Sequence, residues 1–153
     1  MEGKIFFGVL ARRLVNFVVI NECIDTSVQK AGVPGFPGCL EYVAMIRDTI
    51  RYAREDKKDL YVIWLDLANA YRSGQHHLIA KALDFFWVPN KVREVIVRYY
   101  NGFLMCFSAP KYTTKWQELE VGTPMGCVIS QLLFVMVMEV IIHGTKGVST
   151  GVV

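Results

Sequence analysis

Apolar positions along the chain change their spacing several times, and each change marks an element. Between residues 4 and 20, Ile5, Phe6, Val9, Leu10, Leu14 and Phe17 recur near helical spacing, with Arg12 and Arg13 on the other side. That pattern predicts a helix. The stretch AGVPGFPG, 31–38, is a Pro/Gly loop that cannot continue it. Leu40, Val43, Ala44, Ile50 and Ala53 predict a second helix, ending in the charged run AREDKKD, a solvated turn. Residues 60–66, LYVIWLD, read as a buried strand closed by a carboxylate. Helices are predicted over 77–86, ending before Pro89, and over 91–100. FLMCFSA and YTTKWQELEV predict two strands joined around Pro110, and a last helix is expected over about 128–142. The tail GTKGVSTGVV is small, polar and expected to fray. Mixed helices and strands with a late antiparallel pair indicate an α+β or mixed-sheet fold.

The 153 residues suffice for one ordinary domain with a real core. A hydrophobic share of 53% against 20% charged excludes an intrinsically disordered chain. Mean hydropathy, +0.31, is high for a free-standing soluble domain. A membrane span is not the reason: the longest apolar stretch, LLFVMVMEVII, is short and carries Glu139, whereas a span needs roughly 20 apolar residues. The N-terminal apolar run is too short for a signal peptide, so an intracellular protein of cytoplasm or nucleus is expected. Net charge is +3, compatible with nucleic acid but weak evidence for it. Cys23, Cys39, Cys106 and Cys127 are scattered without a CxxC pair, as in a reduced intracellular core.

Two places carry candidate chemistry. Asp66 ends an apolar run, where an ionised carboxylate is costly unless it is paired, hydrogen-bonded or beside a cation. It either caps the turn after a strand or holds a metal; magnesium takes one or two carboxylates together with waters and phosphates. The second place is VGTPMGCVISQLLF, where Gly122, Pro124 and Gly126 form a tight turn running straight into an apolar helix. Glycines permit close backbone approach, and a helix N-terminus attracts phosphate.

Taken together, WLDLANAYRSGQHHLI and VGTPMGCVISQLLFVM resemble the reverse transcriptase domain of non-LTR (LINE-type) retrotransposons. Upstream, KIFFGVLARRLVNFV and QKAGVPGFPGCLEYVAMI resemble that family's fingers region, so the resemblance runs from about Gly3 to Ile142. It implies a partial right-hand polymerase fold: a helical fingers segment, 1–59, then an incomplete palm, 60–153, with a mixed or antiparallel sheet. The implied reaction is transfer of a nucleotide from a dNTP to a DNA primer 3′-hydroxyl on an RNA template, using two Mg²⁺ ions. Asp66 and the backbone carbonyl of Leu67 would be the metal ligands. Tyr71, five residues after Asp66, would lie under the nucleotide's sugar and exclude a 2′-hydroxyl, with the small Ala70 beside it. Gly126 would lie against the base pair, and Met125 and Ser130 beside the template. Arg12, Arg13 and Gln29 fall in fingers segments that meet template or triphosphate. His76 is expected to be structural, and Tyr112 and Trp116 to pack within the hairpin. Neither a membrane nor an obligate protein partner is implied.

The chain departs from the family at several places. Met125 replaces a usual glutamine, Gln131 a usual proline, and Gly38-Cys39 stands for a common Gly-Arg step; Arg72 and Gln75 also differ. The sequence contains no Asp-Asp pair, whereas the family carries further metal ligands in an aromatic-x-Asp-Asp hairpin. One carboxylate does not hold two magnesium ions, so the isolated chain is expected to be inactive. Two alternatives stand: a non-catalytic nucleic-acid-binding remnant, and an unrelated α/β domain whose Gly turn binds phosphate.

Overall fold

Helix α5 (Ser130–Thr145) is apolar on nearly every side, and a helix of that kind is stable only when surrounded. Three others surround it in this computed structural model, which describes residues 2–29, 32, 38–64, 66–68, 70, 74–124 and 126–146. They are α1 (Glu2–Ile20), α3 (His76–Phe85) and α4 (Asn90–Tyr100). Helix α1 contributes Ala11, Leu14 and Val18; α3 contributes Ile79, Ala82 and Leu83; α4 contributes Ile96 and Tyr100. These meet Leu132, Leu133, Val135 and Met136 of α5 in one core. Each fully buried Leu or Ile there stabilises the fold by roughly 1.5–3 kcal/mol.

Helix α2 (Cys39–Glu55) buries no residue. It is fastened to the segment after α1 by Tyr42, whose hydroxyl donates to the carbonyl of Ser27 at 2.9 Å and reaches that of Val28.

Helices α1, α2 and α3 end alike. The residue two past each helix takes a positive φ: Glu22 at 49°, Lys57 at 54°, Trp87 at 55°. In each case the next amide reaches back to the third residue from the end: Cys23 to Val18, Lys58 to Ala53, Val88 to Leu83. This is the Schellman closure, normally built on glycine. After α3 its apolar contact is present too, since Val88 and Leu83 are both buried.

The hairpin follows α4, with β1 (Leu104–Met105), β2 (Ser108–Ala109), β3 (Tyr112–Thr113) and β4 (Gln117–Glu118). Strand β1 pairs antiparallel with β4, Leu104 opposite Glu118; β2 pairs antiparallel with β3, Ala109 opposite Tyr112. Phe107 and Thr114 extend the second ladder: the Thr114 amide donates to the Phe107 carbonyl, and the Phe107 amide donates to Thr114 Oγ1, both at 2.9 Å. Cys106 is then left opposite both Lys115 and Trp116, a one-residue bulge.

The fold thus mixes helices with short antiparallel pairs, as the α+β expectation has it. Among its described residues, 60–64 and 66, the expected strand over 60–66 is not formed. Residues 60–64 join no ladder with any described residue and stand in solvent, Tyr61 at 89% and Ile63 at 83% exposure. The physical reason is that a strand is made by its neighbour, and among the described residues the paired strands all belong to the hairpin. Among the described residues, no helix is long and apolar enough to cross a membrane.

Candidate nucleotide site

The loop between β4 and α5 is tied to the start of α3 by two bonds. The amide of Gly122 donates to the carbonyl of Gly74 at 2.7 Å. His76 Nε2 bonds the carbonyl of Gly122 at 2.8 Å, with its ring 5.2 Å from that of Tyr100. His76 is therefore structural in a specific sense, a clasp between the segment after Asp66 and the glycine turn. Leu67 and Ala70 share a cavity of about 130 Å³ with Thr123 of that turn and with Phe134 and Met138 of α5.

Within the turn the Cys127 amide donates to the Pro124 carbonyl at 3.2 Å. Gly126 occupies the third position with φ +84°, which explains the glycine on backbone grounds. A side chain added there would meet nothing within 4 Å, so the space beside this backbone is open. Ser130, the first residue of α5, is buried, and its hydroxyl shares a 3.1 Å bond with that of Tyr100. Burial pushes Tyr100 up to about 12, while the bond from Ser130 works the other way. Tyr99 is also raised, first by burial and then by its contact with the Cys127 thiol.

Asp66 is exposed to solvent, as is Leu67. Arg12 and Arg13 stand on the solvent face of α1, opposite Ala11 and Leu14, and do not line the cavity. Gln29 turns inward: its amide donates to the Val135 carbonyl at 3.0 Å and to Glu139 Oε2 at 3.1 Å. Tyr71 and Met125 lie outside the described residues. Sequence reasoning missed the partnership of Gln29 with Glu139. The signal was a single carboxylate inside an apolar helix, which has to find a donor.

A two-magnesium site needs several oxygen ligands held together. Asp66 is a suitable oxygen ligand on an open surface, but among the described residues no group of three or more His, Cys, Asp or Glu could hold an ion. One carboxylate does not make that site.

The glycine turn, the clasp at His76 and the cavity reached by Leu67 and Ala70 lie within a longer match. The family described as reverse transcriptase (RNA-dependent DNA polymerase) matches residues 9–151. The chain belongs to the reverse transcriptase family. It is also similar to the "Retrovirus-related Pol polyprotein from type-1 retrotransposable element R2" of Nasonia vitripennis, 29% identical over 132 residues. That alignment covers 86% of this chain and 13% of the relative, so the chain spans only about an eighth of that polyprotein's length. No solved structure matches the chain.

Proposed function

We propose that this chain is the nucleotide-receiving part of an RNA-directed DNA polymerase from a non-LTR retrotransposon, with a fingers segment over 1–59 and an incomplete palm over 60–153 of a right-hand fold. The observation that carries this reading is the meeting of two distant segments. Leu67 and Ala70, just after Asp66, share a cavity with Thr123, beside the turn that His76 clasps at Gly122. The reaction served is nucleotidyl transfer from a dNTP to a DNA primer 3′-hydroxyl on an RNA template, in the cytoplasm or nucleus.

In this reading Asp66 and the Leu67 carbonyl face the metal site, and Ala70, Tyr71 and Gly126 receive the nucleotide. Arg12 and Arg13, with Met125, lie toward the nucleic acid. Ser130 and Gln29 act by positioning, because both side chains are spent on bonds to Tyr100 and Glu139. Magnesium, when bound, supplies positive charge to the developing phosphoryl transition state. The described residues do not assemble that site, and the sequence holds no Asp-Asp pair, so the isolated chain does not extend primers.

Primer extension and nucleotide titration test the two halves of this proposal. The isolated chain, given an RNA–DNA primer-template, dNTPs and magnesium, leaves the primer unextended; extension that disappears in Asp66→Ala would overturn the inactivity. Titrated with a nucleoside triphosphate, it favours the deoxy form, and Tyr71→Ala erases the preference. Equal binding of ribo and deoxy forms by the unaltered chain would sink the assignment of the nucleotide site.

A further inference from the structure

We propose that the hairpin β1–β4 is a stacking platform for single-stranded nucleic acid, separate from the cavity at Leu67 and Ala70. The sequence predicts that Tyr112 and Trp116 pack within the hairpin; both are instead largely exposed. Phe107 and Tyr112 are each 66% exposed and Trp116 is 67% exposed. The register brings Phe107 and Tyr112 together. Phe107 faces Thr114 and Ala109 faces Tyr112, so by the two-residue alternation of a strand Phe107 and Tyr112 leave on one face as diagonal neighbours. The opposite face carries Ser108 and Thr113, whose hydroxyls bond each other at 3.0 Å. Trp116 follows in the bulge, the position where a strand re-aims a side chain.

Charge decides the occupant. Tyr112 and Trp116 are each preceded by a lysine, Lys111 and Lys115, and both lysines are exposed. The acidic residues of the return strand, Glu118 and Glu120, lie at the base of the hairpin, away from the tip. A protein-binding patch is depleted of lysine at its centre. An exposed ring beside an exposed ammonium suits a chain that alternates flat bases with phosphates. Single strands fit better than duplex, because the bases of a duplex are already stacked on one another. Stacking is indifferent to the 2′-hydroxyl, so RNA and DNA both qualify.

The test uses the whole 153-residue chain without divalent ions or dNTPs, so its failure leaves the nucleotide-site reading untouched. Fluorescence anisotropy follows a labelled single-stranded oligonucleotide, as RNA and as DNA, and the corresponding duplex. Both single strands bind, more tightly than duplex. The double variant Tyr112→Ala with Trp116→Ala loses at least tenfold in affinity. Tyr112→Phe with Trp116→Phe keeps most of it, which a purely structural role of the hydroxyl or indole would not allow. Lys111→Ala with Lys115→Ala lowers the slope of log affinity against log salt by about 1.4. Circular dichroism checks that each variant is folded. No binding by the unaltered chain, or binding untouched by loss of both aromatics, overturns the proposal. So does self-association that depends on the aromatics and ignores oligonucleotide, since the platform would then be an interface between copies.

Discussion

Gln29 and Glu139 stand 110 positions apart in the sequence and meet in a hydrogen bond of 3.1 Å. Glu139 is fully buried on α5, and among the described residues its other oxygen has no hydrogen-bond partner, facing His143 Nε2 at 3.5 Å. Gly32 belongs to the same docking: with φ +78°, a side chain there would come within 2.9 Å of Val135. Gln29 and Gly32 thus lie along a stripe of α5 made by Gln131, Val135 and Glu139, each one helical turn from the next. Gln29→Ala removes the donor and leaves the buried carboxylate without a hydrogen bond from any described residue. The expected loss is about 1–3 kcal/mol, read from the urea midpoint. An unchanged midpoint would mean that the carboxylate has another source of relief.

Alkaline pH tests the joint between α4 and α5. Burial raises Tyr100 to about 12, above the roughly 10 of an unfolded tyrosine. The neutral phenol is the form that the fold favours, so this stability is complete below about pH 10 and declines as pH rises from there through 12. Phenolate absorbance during an alkaline titration should show late ionisation accompanying loss of helix. Ser130→Ala removes the bond that favours the phenolate, moving Tyr100 still higher while costing about 1 kcal/mol at neutral pH. If all seven tyrosines ionise together near 10 with the helices intact, the burial argument fails.

Trp87 closes α3 in the left-handed region with its indole in solvent. A side chain pays a steric cost there that glycine does not, partly offset by glycine's greater freedom when unfolded. Trp87→Gly should therefore raise the melting temperature, by up to about 1 kcal/mol of stability, while Trp87→Ala stays close to the parent. A fall with glycine would show that the indole makes a contact the fold needs.

That helix end also shows what the sequence withholds. The helix bodies were legible because periodicity is local: 4–20 became Glu2–Ile20, and 91–100 became Asn90–Tyr100. Their ends were less so, because Glu22, Lys57 and Trp87 occupy positions where glycine is the usual signal. Asp66 and the glycine turn were legible as family motifs. The clasp from His76 to Gly122 was not, because no spacing rule links a ring nitrogen to a carbonyl 46 positions away. Gln29 read as a fingers residue meeting template or triphosphate for the same reason, since only the folded chain brings Glu139 to it. Residues 60–64 have the composition of a buried strand, but composition does not supply the strand that should lie beside them.

Those unpaired residues set how the isolated chain behaves in a test tube. Tyr61, Val62, Ile63 and Trp64 offer apolar side chains on a backbone with no ladder partner among the described residues, a template on which another molecule can add a strand. Association then grows with protein concentration and is not relieved by salt, because its contacts are backbone bonds and apolar packing, not charge. A lysine at Ile63 would interrupt that growth from the edge while leaving the helical core as it is.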